Sequence, residues 1–240
     1  MLIFKKLNYS LIMKRIAPFL VILGAIILFF GGEIIPSGGR FLGGFDVAAY
    51  FYWNLHFIKE QILSGQIPLW NPYYYCGQPF IANPQTFVFY PSTLLFVFLP
   101  LPWAFTLDAL SHFLLSAAGM YLFVLLVTDS KFGALISAVV YTFSAYFAGN
   151  CYGGHLTMIH TAALIPWIFF FIEKGLRDRP KYSFVAAGLF FGLQILGGEP
   201  QNNYYTLLFL SVYILYYLIV NFRKNDQTQT RSFFFCLGSF

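Results

Sequence analysis

Six stretches of this sequence, roughly 16–35, 103–128, 132–149, 156–173, 182–197 and 203–222, are apolar nearly throughout. Each approaches the ~20 residues that a helix rising 1.5 Å per residue needs to cross hydrocarbon. A seventh apolar run begins after Arg231 and reaches the last residue, Phe240. Runs of this length admit little but helices, because backbone N–H and C=O groups in lipid must bond within their own segment. Only 10% of residues are charged and mean hydropathy is +0.69, against roughly 25% charged residues in soluble domains. The expected fold is therefore all-α integral membrane: a polytopic helical bundle with about six complete spans and the start of a seventh. It forms one membrane domain over 1–240, read as the N-terminal part of a longer protein. No repeat, low-complexity tract or soluble domain stands out.

Net charge is +5, but the basic residues fall in short clusters between apolar runs. That pattern sets membrane topology and excludes a nucleic-acid partner. The first run follows Lys5, Lys6, Lys14 and Arg15 and lacks an Ala-x-Ala cleavage site, so it reads as an uncleaved signal anchor. Between it and the second span lies a long segment, 31–102. Within this segment 86–101 is apolar but short and interrupted or bounded by Pro91, Pro100 and Pro102. If 86–101 does not cross, 12 of the 14 basic residues face the cytoplasm, leaving Arg40 and Lys59 outside. If it crosses, the Arg177–Lys181 loop turns outward, against the positive-inside bias. The first arrangement is expected, with the N-terminus in the cytoplasm. Residues 31–102 then form a large first extracytoplasmic loop, joined on that side by the turns at Gly149–His155 and Gly197–Asn203.

In the large loop, Val47, Phe51, Leu55, Ile58 and Ile62 recur at steps of four, four, three and four. This spacing predicts an amphipathic helix over Asp46–Ser64, lying on the membrane surface and stopping at Gly65. The following Ile67-Pro68-Leu69-Trp70-Asn71-Pro72 cannot continue it. Asp46 stands where an aspartate caps a helix N-terminus. Alternatively, it is a carboxylate at the membrane surface able to act as general base. Asp108 and His112, four apart in a span, share a face and must point into the bundle or a wet cavity. They either satisfy each other or line an active cavity. His155 and His160 are five apart, about 140° on a helix, which separates them too far for one ion. No metal ligand set is assigned, and a helix-start His155 suits phosphate instead. Asn83, Gln85, Glu199 and Gln201 are either sugar or phosphate partners or seals between loops. Cys76, Cys151 and Cys236 have no metal or redox spacing. The first two fall on the same side and either pair or stay free.

The set Gly65-Gln66-Ile67-Pro68-Leu69-Trp70-Asn71-Pro72, Gly77-Gln78-Pro79, Ala82-Asn83-Pro84-Gln85 and Tyr90-Pro91 resembles the YfhO family of bacterial membrane proteins. Gly154-His155 and Gly198-Glu199-Pro200-Gln201 match that family's later motifs, and Asp46 stands at its early aspartate. The resemblance covers roughly Gly44 to Tyr217. It implies a layout similar to the GT-C glycosyltransferases, which take sugars from polyprenyl-phosphate carriers and keep a key acid in the first outer loop. By that likeness Asp46 is the catalytic residue. Asn83, Gln85, Asp108, His112, His155, Glu199 and Gln201 are substrate-binding. The implied partners are the bilayer of the bacterial cytoplasmic membrane, a polyprenyl-phosphate-linked sugar and a cell-envelope acceptor. No cofactor is implied, and a divalent metal requirement is left open. The competing expectation is a non-enzymatic lipid-linked-saccharide transporter, a membrane assembly partner or an inactive truncated product. Transporters place polar sites at mid-membrane, whereas these residues cluster at the outer edge.

Overall fold

A computed structural model describes residues 9–36, 42–178 and 181–223. The seventh apolar run, together with Cys236, lies outside the described residues. Helix α1 (Tyr9–Phe30) is followed by a 3₁₀ turn at Gly31–Ile34. A π-helical turn, Val47–Phe51, leads into α2 (Tyr52–Leu63). Strands β1 (Trp70–Asn71) and β2 (Gln78–Pro79) pair antiparallel, Trp70 opposite Pro79. A short helix, α3 (Thr93–Phe98), precedes α4 (Leu101–Thr128). The rest is helical: α5 (Lys131–Thr142), α6 (Ala145–Gly153), α7 (Leu156–Asp178), α8 (Lys181–Leu196) and α9 (Pro200–Arg223).

The chain is an all-α, multi-pass membrane protein. Among the described residues, five helical segments are long and apolar enough to cross a bilayer: 17–34, 101–128, 131–153, 156–178 and 200–220. The stretch expected as a further span, 182–197, is the 16-residue α8. At 1.5 Å per residue it reaches about 24 Å, short of the ~30 Å hydrocarbon thickness. In segment 86–101 the α-helix is only six residues long, far too short to cross. The expected single helix over 132–149 is broken: Phe143 leaves helical geometry and Ser144 is extended, φ −60° and ψ 157°.

Breaks between helices follow local chemistry. Asp129 takes the left-handed conformation that ends α4, and the Ser130 hydroxyl caps α5 by accepting from Gly133 N–H at 3.1 Å. Gly154, at φ +85°, closes α6. Pro166 lies inside α7 and cannot donate to the Ala162 carbonyl one turn earlier. The Tyr141 hydroxyl supplies the missing donor at 2.9 Å, so a backbone oxygen buried in the bundle stays bonded.

Helices α4 and α7 form the centre, flanked by α5 and α8. Close approach requires a small residue: a Cβ at Gly119 on α4 would strike the Trp167 ring of α7. Trp167 Nε1 donates across to the Leu115 carbonyl at 2.8 Å. At one end of the bundle Arg177 pairs with Glu173 and donates to the Leu126 carbonyl at 2.7 Å. The Tyr213 hydroxyl reaches the same glutamate at 2.5 Å, tying α4, α7 and α9 together. The 42–100 segment covers the other end.

The predicted stripe is real, but it faces protein. Val47, Phe51, Leu55 and Ile58 are buried against Phe80, Phe87, Phe96, Phe105 and Leu164. The helix of the large loop is therefore a lid on the bundle, with its apolar face turned to α3, α4 and α7 rather than to lipid. Cys76 and Cys151 are both free, so the pairing alternative is not realised.

Candidate functional site

The turns at Gly154 and Gly198 both pack against the 42–100 segment. A Cβ on Gly44 would overlap the Tyr152 carbonyl oxygen and the Gly153 carbonyl group. A Cβ on Gly198 would overlap the Pro84 carbonyl oxygen. The three segments read from the sequence as sharing one side thus meet at one end of the bundle, with glycines at the contacts.

At this meeting point Asp46 does not cap a helix. Its backbone is already helical, φ −68° and ψ −28°, and its side chain accepts no cap hydrogen bond. That corrects the capping expectation: with the backbone in the helical region, the carboxylate points away from the first free N–H groups. It reaches His155 instead, Oδ2 to Nε2 3.1 Å, with both side chains a little under half exposed. The Asn150 amide nitrogen donates to the Tyr146 carbonyl at 2.8 Å, which turns Asn150 Oδ1 toward His155 Nδ1 at 2.9 Å. Nδ1 must then carry hydrogen. Nε2 and the Asp46 carboxylate share what remains, so one proton is needed between them to avoid facing lone pairs. The result is a surface acid–base dyad with a fixed imidazole orientation. It is held by a left-handed glycine on one side and the π-helical turn on the other.

A cavity of about 970 Å³ lies between the end of α1, the 42–48 segment and α6. Phe29, Phe30, Leu42 and Phe45 line it, Glu33 adds a carboxylate, and Gly153 and Ala48 bring it to the flanks of the dyad. Its walls suit an extended apolar chain, and its edge is polar.

One turn beyond Asp46, the Tyr50 hydroxyl accepts from Asn83 Nδ2 at 2.7 Å. Burial pushes the Tyr50 phenol above its ordinary range, and the Asn83 bond opposes this. Asn83 Oδ1 also accepts from Gln85 N–H at 3.1 Å, so Asn83 is a seal between turns. Glu199 is buried and has the same kind of role. It lies 3.5 Å from the Thr157 hydroxyl and accepts from Gln201 N–H at 3.4 Å, at the start of α9. Gln85 and Gln201 remain exposed, the latter donating to the Tyr205 hydroxyl at 2.8 Å.

Asp108 and His112 do not stand at this surface. They are buried in α4 together with His160 of α7, and all three are at most 4% exposed. His160 Nε2 lies 2.7 Å from Asp108 Oδ2, and His112 Nδ1 lies 3.4 Å from Oδ1. His112 also bonds the Tyr90 hydroxyl through Nε2 at 2.9 Å. Mutual satisfaction of Asp108 and His112 is therefore only part of the answer, since the short contact is to a third residue. The i, i+5 spacing correctly separates His155 from His160: one meets Asp46, the other Asp108. No role for His160 is legible from spacing, because its partner lies across a helix–helix interface.

No family profile, curated protein or solved structure matches this chain.

Proposed function

We propose that the Asp46–His155 face is the catalytic face of a membrane glycosyltransferase with a GT-C-like layout, similar to the YfhO family. The enzyme moves a sugar from a polyprenyl-phosphate carrier to a hydroxyl of a cell-envelope acceptor. In this reading the N-terminus is in the cytoplasm of a bacterial cell and the 42–100 segment faces outward, with the short α8 returning the chain to that side beside the five longer spans. The observation that carries the reading is the freed Asp46 carboxylate, half-exposed and held by an oriented imidazole beside an apolar cavity.

The acceptor oxygen attacks the anomeric carbon while the bond from that carbon to the carrier phosphate breaks, with inversion. The hydroxyl proton passes to Asp46 and the phosphate leaves with the bonding pair. Asp46 takes up a proton from the hydroxyl only as a bare carboxylate, so in the reactive state the dyad's proton resides on His155. The resulting imidazolium faces the phosphate charge that develops on the carrier. The isoprenoid chain lies along Phe29, Phe30 and Leu42, which positions the phosphate at the polar edge. Gln85 and Gln201 are the exposed amides able to meet sugar hydroxyls, while Asn83 and Glu199 keep the turns in place.

The test uses the full chain reconstituted in vesicles with a labelled sugar on undecaprenyl phosphate and an extract of envelope acceptors. Asp46→Asn should cut transfer by about 10²–10⁴-fold, the range for loss of a positioned base. Unchanged transfer in that variant contradicts the assignment. Movement of the intact lipid-linked sugar across the bilayer without product would favour a transporter.

A further inference from the structure

We propose that Asp108, His112 and His160 form a binding site for one divalent transition-metal ion, held between α4, α7 and the 87–93 segment and independent of the Asp46 dyad. One donor atom from each residue lies within 4.8 Å of the others. The donors are two imidazoles and a carboxylate, a set that suits zinc and its first-row neighbours.

Two observations point to an ion rather than to a closed hydrogen-bond cluster. Asp108 Oδ1 and His160 Nδ1 are fully buried without a hydrogen-bond partner. The 3.4 Å approach of His112 to Oδ1 is close enough for ion pairing but lacks hydrogen-bond geometry. Two orphaned polar atoms on a pair of touching residues are costly at 0–1% exposure. A divalent cation gives Asp108 Oδ1 the partner it lacks, accepting its lone pair together with those of the imidazoles.

The spacing fits. Bonds of about 2.0–2.1 Å in a tetrahedral site put donors about 3.3 Å apart, and His112 Nδ1 and Asp108 Oδ1 are 3.4 Å apart. The 2.7 Å His160–Asp108 contact opens by about half an ångström to admit the ion on this geometry. Tyr90 supplies the outer support that metal-bound histidines need. Its oxygen accepts from His112 Nε2–H, which leaves Nδ1 as the ligand atom. Without an ion, Nδ1–H turns to the Asp108 backbone carbonyl, 2.7 Å away, and Tyr90 donates to Nε2. Passage between the two states changes the His112 tautomer and turns Nδ1 off the Asp108 backbone carbonyl. The side chains of Phe87 and Tyr90 pack on His160 at 4.9 and 4.8 Å between ring centroids, so the ion enters by displacement of the 87–93 segment.

The full chain is purified in detergent, its bound metal is measured, and chelator-stripped protein is titrated with Co²⁺ and followed by visible absorption. Expected are about one ion per chain as purified and a saturable cobalt d–d band. His112→Ala and His160→Ala should each lower bound metal by at least tenfold, Tyr90→Phe should weaken affinity by about 10–100-fold, and His56→Ala, in exposed α2, should leave both unchanged. A wild-type chain that holds no ion and gives no cobalt band overturns the proposal whatever the variants do. Equal binding by wild type and His160→Ala also overturns it, because the ion then lies elsewhere.

Discussion

Gly44→Ala adds one methyl group at the contact that brings the two halves of the dyad together. The new Cβ would overlap the Tyr152 carbonyl oxygen and both carbonyl atoms of Gly153. All are backbone, so no rotamer change relieves the clash, and the 42–48 segment must move off the α6–α7 turn. Overpacking of this kind costs about 1–3 kcal/mol, and each kcal/mol lowers Tm by about 2–4 °C in chains of this size. A loss of about 2–12 °C is expected in detergent, read by intrinsic fluorescence during heating. The same displacement separates Asp46 from His155, now at 3.1 Å, so transfer activity should fall even below the unfolding transition. Gly188→Ala is the matched control. It lies mid-α8 with open space around its Cβ position, and removing a helical glycine should add about 0.5–1 kcal/mol. If Gly44→Ala proved as stable as Gly188→Ala, the large loop would not sit on that turn and the dyad would be an accident of packing.

Tyr141→Phe removes the donor that serves the Ala162 carbonyl above Pro166, at a cost of about 1–3 kcal/mol for an unsatisfied buried group. Adding Pro166→Ala restores a helical N–H, so the double variant should recover stability in thermal unfolding, and failure to recover would discount the link. Alkaline unfolding should show a second effect. The fold raises the Tyr90 phenol above its unfolded value of 10.0, so its contribution is complete below pH ~10 and declines as pH rises beyond it. Tyr90→Phe should flatten that decline, and an unchanged profile would contradict the assigned burial.

Much of the architecture was legible because lipid imposes strong rules. Apolar length located α1, α4, α7 and α9, and the i, i+4 stripe from Val47 to Ile62 located the loop helix and its buried face. Sequence could not say what that face packs on, since lipid and an apolar bundle end attract the same side chains. The break at Phe143–Ser144 is not legible either, since no proline or glycine marks it. At the site, Asp46 is visible as a lone acid before an apolar stripe, but its capping alternative fails on a backbone angle that no residue type encodes. The five-residue spacing separates His155 from His160. Their true partners, Asp46 and Asp108, lie more than 100 and more than 50 positions away respectively, contacts that spacing along one helix cannot reveal.

Cys76, exposed between β1 and β2, gives direct access to the side of the membrane on which Asp46 acts. Intact cells expressing a chain with Cys151→Ser and Cys236→Ser are treated with a membrane-impermeant maleimide. Labelling of Cys76 in intact cells, with no further gain on permeabilisation, is expected for a loop facing the external donor and acceptor. Labelling only after permeabilisation would put the dyad in the cytoplasm and remove the proposed chemistry with it.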